Sequence, residues 1–319
     1  MRQVDDILWE ARAPKARVAL LYSKSWPVWK EDDTEQIEQM MAYVALLHAG
    51  IPVDFVSDEQ VVEGSLAARN YQCLYVVNES IPAKAAAAIE QWVRNGGNLW
   101  ASGWAGMKDE YNTPTEAWNE MLGVKARSWK PSGDLKRLGE QIQPADWQRP
   151  VFDREVTLQV DEQGGFVGYL VFGDKASHGH QRKHGAGLVQ VVPWTAGKEY
   201  SDAARESEAK LAKAVIYPAN EKREVIAGFA LKSKVEPPAT TSVNQILAYP
   251  LWTQHNGVVL LSNYTGEAAT SVTVNFAVAM PVKKMRSIHR GELKFTQPDT
   301  RHVKVTLPMP DVTDILVVE

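Results

Sequence analysis

The stretch from Gly96 to Tyr111 constrains the fold of this chain more than any other part of the sequence. It begins with a helix stop at Gly96 and Gly97, continues as an apolar strand, and ends in the turn Ser102-Gly103-Trp104-Ala105-Gly106. A strand that runs into a glycine-flanked turn has the form of a nucleophile elbow, where glycine lets the backbone bend sharply. Acyl-transfer enzymes place Ser or Cys at the centre of that turn. Trp104 stands there instead, so the sequence predicts the scaffold of such an enzyme without its nucleophile.

Strands and amphipathic helices alternate through the first two thirds of the chain. Apolar strands are predicted near residues 17–22, 51–56 and 73–77, and helical periodicity separates them from one another and from the elbow strand. Strands connected by helices form a parallel sheet that is covered on both faces. The pattern therefore predicts an α/β domain over residues 17–235.

Three helices of this domain have signals that locate them in the sequence. Apolar residues, Met40 and Leu47 among them, recur at the helical period between the first two strands. A capping box at residues 113–116 predicts a helix that begins at Pro114. Ser201 is predicted to cap a helix that runs through Val215.

The pattern changes after the linker-like segment 236–241, where apolar residues begin to recur at every second position. Alternating strands are predicted at residues 257–263, 271–276, 283–287, 302–307 and 314–318. Short alternating strands without helices are typical of a small β-sandwich, which we predict for residues 240–319. For residues 1–16 we predict a short helix followed by a linker, with Val4, Ile7 and Leu8 on one side of the helix.

Charge, cysteine content and hydropathy exclude several classes of protein. The formal net charge is -4 over 319 residues, and no basic face dominates, which argues against a nucleic-acid partner. The single cysteine, Cys73, excludes an intrachain disulfide and a cysteine-rich zinc site. No apolar run is long enough to cross a bilayer, and the N-terminus lacks a signal-like segment. A cytoplasmic protein without a membrane partner is therefore expected, with secretion as the alternative if a signal precedes this sequence.

Ligand sites in parallel sheets lie beyond the carboxyl ends of the strands. Polar and aromatic residues at those ends form the predicted ligand pocket, namely Tyr22, Trp26, Glu79, Ser102, Trp104, Asp109, Glu110 and Trp194. The tryptophans among them, together with Trp29, suit stacking on the apolar faces of sugars. They equally suit packing, or contact with a partner subunit, where tryptophan is enriched. Packing or an interface is the favoured interpretation.

Acidic and histidine residues also have two interpretations. Asp109, Glu110 and Glu79 suggest a carboxylate pair for glycoside hydrolysis, but solvated loop acids or helix-capping partners are favoured because adjacent side chains rarely face one another. Residues 177–185 are predicted to be an exposed loop, whose His178, His180 and His184 suggest a metal site. Because no carboxylate near this loop completes such a site, we predict no metal. We also predict no cofactor and no catalytic residue.

Several stretches, taken in this order, resemble the non-catalytic C-terminal half of family 42 β-galactosidases. They are Arg17–Ser23, Leu46–Val56, Gly96–Gly103, Leu251–Gly257 and Asn263–Gly266, so the resemblance covers residues 17–319. It implies a class I glutamine-amidotransferase-like, flavodoxin-like α/β domain, which serves trimerisation in that family, followed by a small β-sandwich.

Two departures from these families bear on function. The catalytic barrel of the galactosidases, which supplies both carboxylates for glycoside cleavage, is absent from this sequence. Amidotransferases carry Cys at the elbow and His-x-Glu after the last core strand, where Trp104 and Pro193-Trp194-Thr195 stand here.

The resemblance therefore implies a non-catalytic oligomerisation and accessory module. Its partners would be further copies in a trimer or dimer, or a catalytic glycosidase domain. The alternatives are a carbohydrate-binding protein and a hydrolase that uses Glu79, Asp109 or a histidine.

Overall fold

The structure is a computed structural model that describes residues 4–29, 33–132, 153–160, 180–211, 217 and 221–319. The helices of these residues are α1 (Asp5–Glu10), α2 (Trp26–Trp29), α3 (Thr34–His48), α4 (Asp58–Val62), α5 (Ser65–Ala68), α6 (Ala83–Arg94), α7 (Asn119–Leu122), α8 (Ala196–Leu211) and α9 (Glu221–Lys232). The strands are β1 (Val18–Tyr22), β2 (Val53–Ser57), β3 (Cys73–Val76), β4 (Asn98–Ser102), β5 (Val124–Ser132), β6 (Asp153–Val160), β7 (His180–His184), β8 (Gly187–Val192), β9 (Ala239–Thr241), β10 (Ile246–Trp252), β11 (Gly257–Asn263), β12 (Ala269–Ala277), β13 (Met285–Ser287), β14 (Gly291–Glu292), β15 (Phe295–Thr296), β16 (His302–Met309) and β17 (Thr313–Val318).

A mainly parallel sheet in the order β2-β1-β3-β4-β8-β7 forms the centre of the α/β region. Its strands pair in parallel except for β7, which runs antiparallel to β8 at one edge. Every residue of β3 is buried: Leu74 and Val76 join an apolar cluster with α4, α5 and α6, while Cys73 and Tyr75 join one with α3, α8 and α9. The predicted parallel sheet with two covered faces is confirmed.

Two antiparallel sheets form the C-terminal β region. A five-stranded sheet has the order β10-β11-β17-β13-β14, and a four-stranded sheet has the order β15-β16-β12-β9. Val259 and Leu316 of the first sheet share an apolar core with Val274 and Val305 of the second. Along β16, exposed and buried residues alternate from His302 to Met309, which is the period that the sequence predicted for this part.

Helix α1 lies on the five-stranded sheet rather than on the parallel one. Val4 is enclosed together with Val258 of β11 and Val317 of β17. Arg12 and Trp252 exchange two backbone hydrogen bonds of 2.9 Å, which pair Arg12 with the last residue of the edge strand β10. The first described residues therefore complete the C-terminal β region, with the α/β region between them in sequence.

Three local predictions are wrong, each because a tertiary or turn contact overrides the sequence pattern. Residues 180–184 form the edge strand β7 instead of a loop, since a turn at Gly185, with φ +59°, folds them onto β8. The helix predicted from Pro114 begins only at Asn119. Helix α8 begins at Ala196, ahead of the predicted start at Ser201, because a carboxylate from α3 caps it there.

Gly50 allows us to test the contact between the two regions. Its φ is +74°, and a Cβ there would lie 2.0 Å from the carbonyl oxygen of Ala239 in β9. Gly64 has a similar φ of +84° with nothing within 4 Å of its added Cβ, so it is a matched control. Gly64→Ala should lower the free energy of unfolding by about 1–2 kcal/mol through backbone strain alone. Gly50→Ala should cost roughly 1–3 kcal/mol more through overpacking, and equal losses in urea titrations would contradict this.

Candidate functional site

Buried polar side chains converge where β1, β3 and β4 end. Ser23 follows β1, and its hydroxyl donates to the carbonyl oxygen of Ser80 at 2.8 Å, with Asp58 Oδ2 3.1 Å away. Asp58 Oδ2 also accepts from the backbone N–H of Lys24 at 2.8 Å. Burial raises the pKa of the Asp58 carboxyl, and these hydrogen bonds oppose that rise. Asp58 Oδ1 and Asn78 Oδ1 are buried without a hydrogen-bond partner within the described residues.

Helix α3 supplies the polar groups that hold these strand ends in place. The sequence pattern predicted an apolar stripe through Met40 and Leu47, yet Met40 is half-exposed, and the buried face includes Glu35, Glu38 and Gln39. Glu35 Oε2 accepts from the N–H of Glu79 at 3.0 Å, just beyond β3. Gln39 Nε2 donates to the Leu21 carbonyl at 2.5 Å, in β1. Sequence reasoning missed these residues because charged helix positions are usually exposed to solvent.

Glu38 joins α3 to the segment that follows the last core strand. Its two carboxylate oxygens accept from the N–H groups of Gly197 and Lys198, at 2.8 and 2.7 Å, in the first turn of α8. A helix N-terminus stabilises negative charge. Burial is the larger effect, however, and raises the pKa of Glu38 to about 7. Sequence reasoning expected His-x-Glu chemistry to be missing after β8, but it gave no sign that a carboxylate from α3 binds there.

At the predicted elbow, Trp104 is fully enclosed. Its indole Nε1 donates to the carbonyl of Val77 at 2.7 Å, and the Ser102 hydroxyl approaches the same oxygen at 3.4 Å. Gly106 has a φ of +62° and lies against the Trp118 ring, whereas Gly103 is not left-handed. The turn leads into an irregular segment instead of the helix that an enzyme elbow would start.

The three predicted acids accept hydrogen bonds from backbone N–H groups or form an ion pair. Asp109 Oδ1 accepts from the N–H groups of Tyr111 and Thr113, both at 2.9 Å. Glu110 Oε2 accepts from the N–H of Ala83, the first residue of α6, at 2.8 Å. Glu79 lies 3.2 Å from the ammonium group of Lys108. Each of the three predicted acids therefore has its own partners: Asp109 and Glu110 accept from backbone N–H groups, whereas Glu79 is buried beside Lys108 and is not a solvated loop acid.

The strand-end aromatic residues differ in exposure. Trp26 and Trp104 are buried, and Trp194 is half-buried against the apolar cluster that contains α3 and α8. Tyr22 and Trp29 are exposed, and Trp29 Nε1 donates to the Glu110 carbonyl at 2.8 Å. Of the rings considered for sugar stacking, Trp104 is therefore the one most completely withdrawn from solvent.

The predicted histidine cluster is only partly described. His184 is buried in β7, with Nε2 3.3 Å from Glu90 of α6, and His178 lies outside the described residues. Across the described residues, no group of three or more His, Cys, Asp or Glu is placed to hold a metal ion. Burial raises the pKa of Cys73 to about 12, so its thiol stays protonated and packs as an apolar group. No helix among the same residues has the length and hydropathy that a membrane span requires.

Glu38 predicts a pH dependence of stability. Its pKa in the folded protein, about 7, lies above its ordinary value of 4.5, so folding favours the protonated form. This contribution is complete below about pH 4.5 and is lost as the pH rises through 7. Between pH 5 and pH 8, the free energy of unfolding should fall by on the order of 2–3 kcal/mol more in the wild type than in Glu38→Gln. Urea titrations across that range measure this, and parallel pH curves for the two proteins would sink the assignment.

No protein-family model matches the sequence, and no curated protein matches it. Solved structures are nevertheless similar along its length. A β-galactosidase from Bacillus circulans sp. alkalophilus has a TM-score of 0.60 at 15% identity, over 100% of this chain and 43% of that chain. Gan42B, a GH42 β-galactosidase from G. stearothermophilus, has a TM-score of 0.53 at 14% identity, over 95% of this chain and 40% of that chain.

An enzyme with a different substrate is similar to the same extent. The α-L-fucosidase isoenzyme 2 from Paenibacillus thiaminolyticus has a TM-score of 0.58 at 16% identity, over 100% of this chain and 51% of that chain. At such low identity, these likenesses establish the fold and leave the activity open. This chain therefore shares its fold with a part of these glycoside hydrolases, GH42 β-galactosidases among them, and spans about two fifths to a half of their length.

Proposed function

We propose that this chain is a non-catalytic oligomerisation and accessory module of carbohydrate metabolism, related to the trimerisation region of family 42 β-galactosidases. In this proposal, residues 17–235 are a glutamine-amidotransferase-like domain of the flavodoxin-like type, and residues 240–319 are a small β-sandwich. The similarity to glycoside hydrolases along the whole chain supports it. Its partners are further copies, in a trimer or dimer, or a catalytic glycosidase domain.

The observation that carries the proposal is the position of Trp104. Its buried ring occupies the turn where an amidotransferase nucleophile would stand, and its N–H is bonded to Val77. An indole offers no nucleophile for acyl transfer, and activation would need a base in hydrogen-bond reach. The carboxylates of Glu38, at the start of α8, and of Glu110, beyond the turn, accept backbone N–H groups instead. The polar side chains at this edge of the sheet therefore hydrogen-bond to backbone groups of the protein itself.

Three exposed apolar side chains offer a surface for self-association. We define the strand-end patch as Tyr22, Val28 and Trp29, which are exposed at the end of β1 and on α2. Exposed apolar residues mark protein interaction sites when they form a continuous patch, and aromatic residues are enriched in interfaces. We therefore assign the strand-end patch to the contact between copies.

Carbohydrate binding at the strand ends is the second candidate. The exposed rings of Tyr22 and Trp29 favour it, because a sugar face can stack on either of them. Dilution distinguishes the two candidates. It would separate the copies and expose these rings, whereas it would leave a sugar site unchanged.

Val28→Asp should dissociate the oligomer. Val28 is 69% exposed, so the new charge leaves the fold intact but places a desolvated carboxylate in the proposed contact. Val312→Asp is the matched control, because Val312 is 72% exposed in a turn of the C-terminal β region. Light scattering at high protein concentration should give a dimer or trimer for the wild type and Val312→Asp, and a monomer for Val28→Asp. A strictly monomeric wild type would refute the proposal.

Trp104→Cys should not create glutaminase activity. The new thiol would lack a general base, because Pro193-Trp194-Thr195 follows β8 in place of His-x-Glu. Truncating a buried aromatic ring should cost roughly 3–5 kcal/mol of unfolding free energy. Trp104→Phe is the control, since it keeps most of the ring and removes the hydrogen bond to Val77, and it should lose less. Glutamine turnover by Trp104→Cys, or its full stability combined with lost sugar binding, would contradict this account.

A further inference from the structure

A cleft lined by aromatic residues lies between helix α3 and the C-terminal β region. It has a volume of about 720 Å³, within the roughly 300–1,000 Å³ typical of ligand pockets. We call it the tyrosine cleft; its lining includes Tyr43, His48, Tyr217, Gln245, Tyr249 and Tyr264. None of the predicted site residues, and none of the strand-end patch, is among its lining residues.

The lining is polar but uncharged. Among the described residues that line the cleft there is no Lys, Arg, Asp or Glu. Within the same described residues, the hydroxyl groups of Tyr43, Tyr249 and Tyr264 make no hydrogen bond, so they are open to a ligand. Burial raises the pKa of Tyr249 to about 12, with further contributions from nearby Tyr264 and Tyr43. Tyr249 therefore stays neutral, and the three phenols lie close together.

A hydrogen-bond chain fixes the protonation of His48 at one side of the cleft. Arg223 only donates, so its bond to Asn244 Oδ1 at 2.6 Å turns the Asn244 amide N–H toward the Tyr200 hydroxyl, 3.0 Å away. The hydrogen of Tyr200 is then directed at His48 Nδ1, at 2.8 Å. Burial lowers the pKa of His48 to about 4, so the imidazole is neutral with its proton on Nε2. The ring contributes no charge to the cleft.

Gln245 joins two sides of the cleft. Its side-chain oxygen accepts from the N–H of Tyr217 at 3.0 Å, and its backbone carbonyl accepts from the N–H of Tyr264 at 2.9 Å. Gln245 is itself buried. The aromatic walls are therefore held by backbone contacts, which reduces the ordering that ligand binding would require.

We propose that the tyrosine cleft binds a neutral oligosaccharide. Phenol rings match the apolar C–H faces of sugar rings, and hydroxyl, amide and imidazole groups match the alternating donors and acceptors of sugar hydroxyls. Because no lysine or arginine is among the described residues that line the cleft, nothing there favours phosphate or carboxylate ligands. This inference goes beyond the proposed oligomeric role and does not depend on it.

Isothermal titration calorimetry with lactose, cellobiose, maltose and their trisaccharides tests the proposal on the full chain. At least one of these sugars should bind the wild type, and Tyr264→Ala should weaken that binding at least tenfold. Tyr111→Ala is the matched control, because Tyr111 is 74% exposed outside the cleft and Tyr264 is 63% exposed within it. Both side chains are exposed, so both variants should fold, which circular dichroism checks. Absence of binding across the panel at millimolar concentration would overturn the proposal.

Two further measurements locate and classify the site. Tyr249→Phe, which removes one hydroxyl and keeps the ring, should weaken binding severalfold, and an unchanged affinity would place the sugar elsewhere. Digalacturonate, an acidic disaccharide, should bind no more tightly than its neutral counterpart, and a clear preference for it would contradict a neutral ligand. Val28→Asp should bind sugar as the wild type does, so that a failure of the oligomeric proposal stays distinct from a failure of this one.

Discussion

The buried carboxylates and amide of helix α3 are the interaction on which the α/β region depends. A charged or amide group inside a protein is costly unless hydrogen bonds replace its water. Glu35, Glu38 and Gln39 meet that requirement by accepting from, or donating to, backbone groups of three separate segments. One helix thereby fixes the ends of β1 and β3 and the start of α8. The geometry of the predicted site is a consequence of this anchoring.

Segments whose own residue pattern determines their structure can be predicted from the sequence, whereas segments held by contacts with distant residues cannot. The buried strand β3 and the alternating strands β11 and β16 follow directly from apolar periodicity, because each is covered by the core on one face or both. The edge strand β7 does not, since its residues are polar and basic and its pairing comes from the turn at Gly185. The start of α8 was missed for a similar reason, because its cap is supplied by Glu38, far away in sequence.

The candidate site was predicted unevenly as well. Motif reasoning located the tight turn after β4, where Trp104 is buried, and the capping interpretation of Glu110 agrees with its bond to Ala83. Sequence gave no indication of the tyrosine cleft, because its walls come from α3, Tyr217 and the strands after Gln245. Residues so far apart in the chain share no motif. Only the docking of the two regions brings them together.

Helix α1 gives the molecule an unusual mechanical connection. It lies on β11 and β17, and Arg12 is paired with Trp252 of β10, so both ends of the described chain are attached to one five-stranded sheet. A pulling force applied to the two ends would enter that sheet first, shearing α1 from the face formed by Val258 and Val317. The parallel sheet lies outside this load path while α1 stays docked. The five-stranded sheet would therefore carry the force first, and the α/β region would bear load only after α1 separates from that sheet.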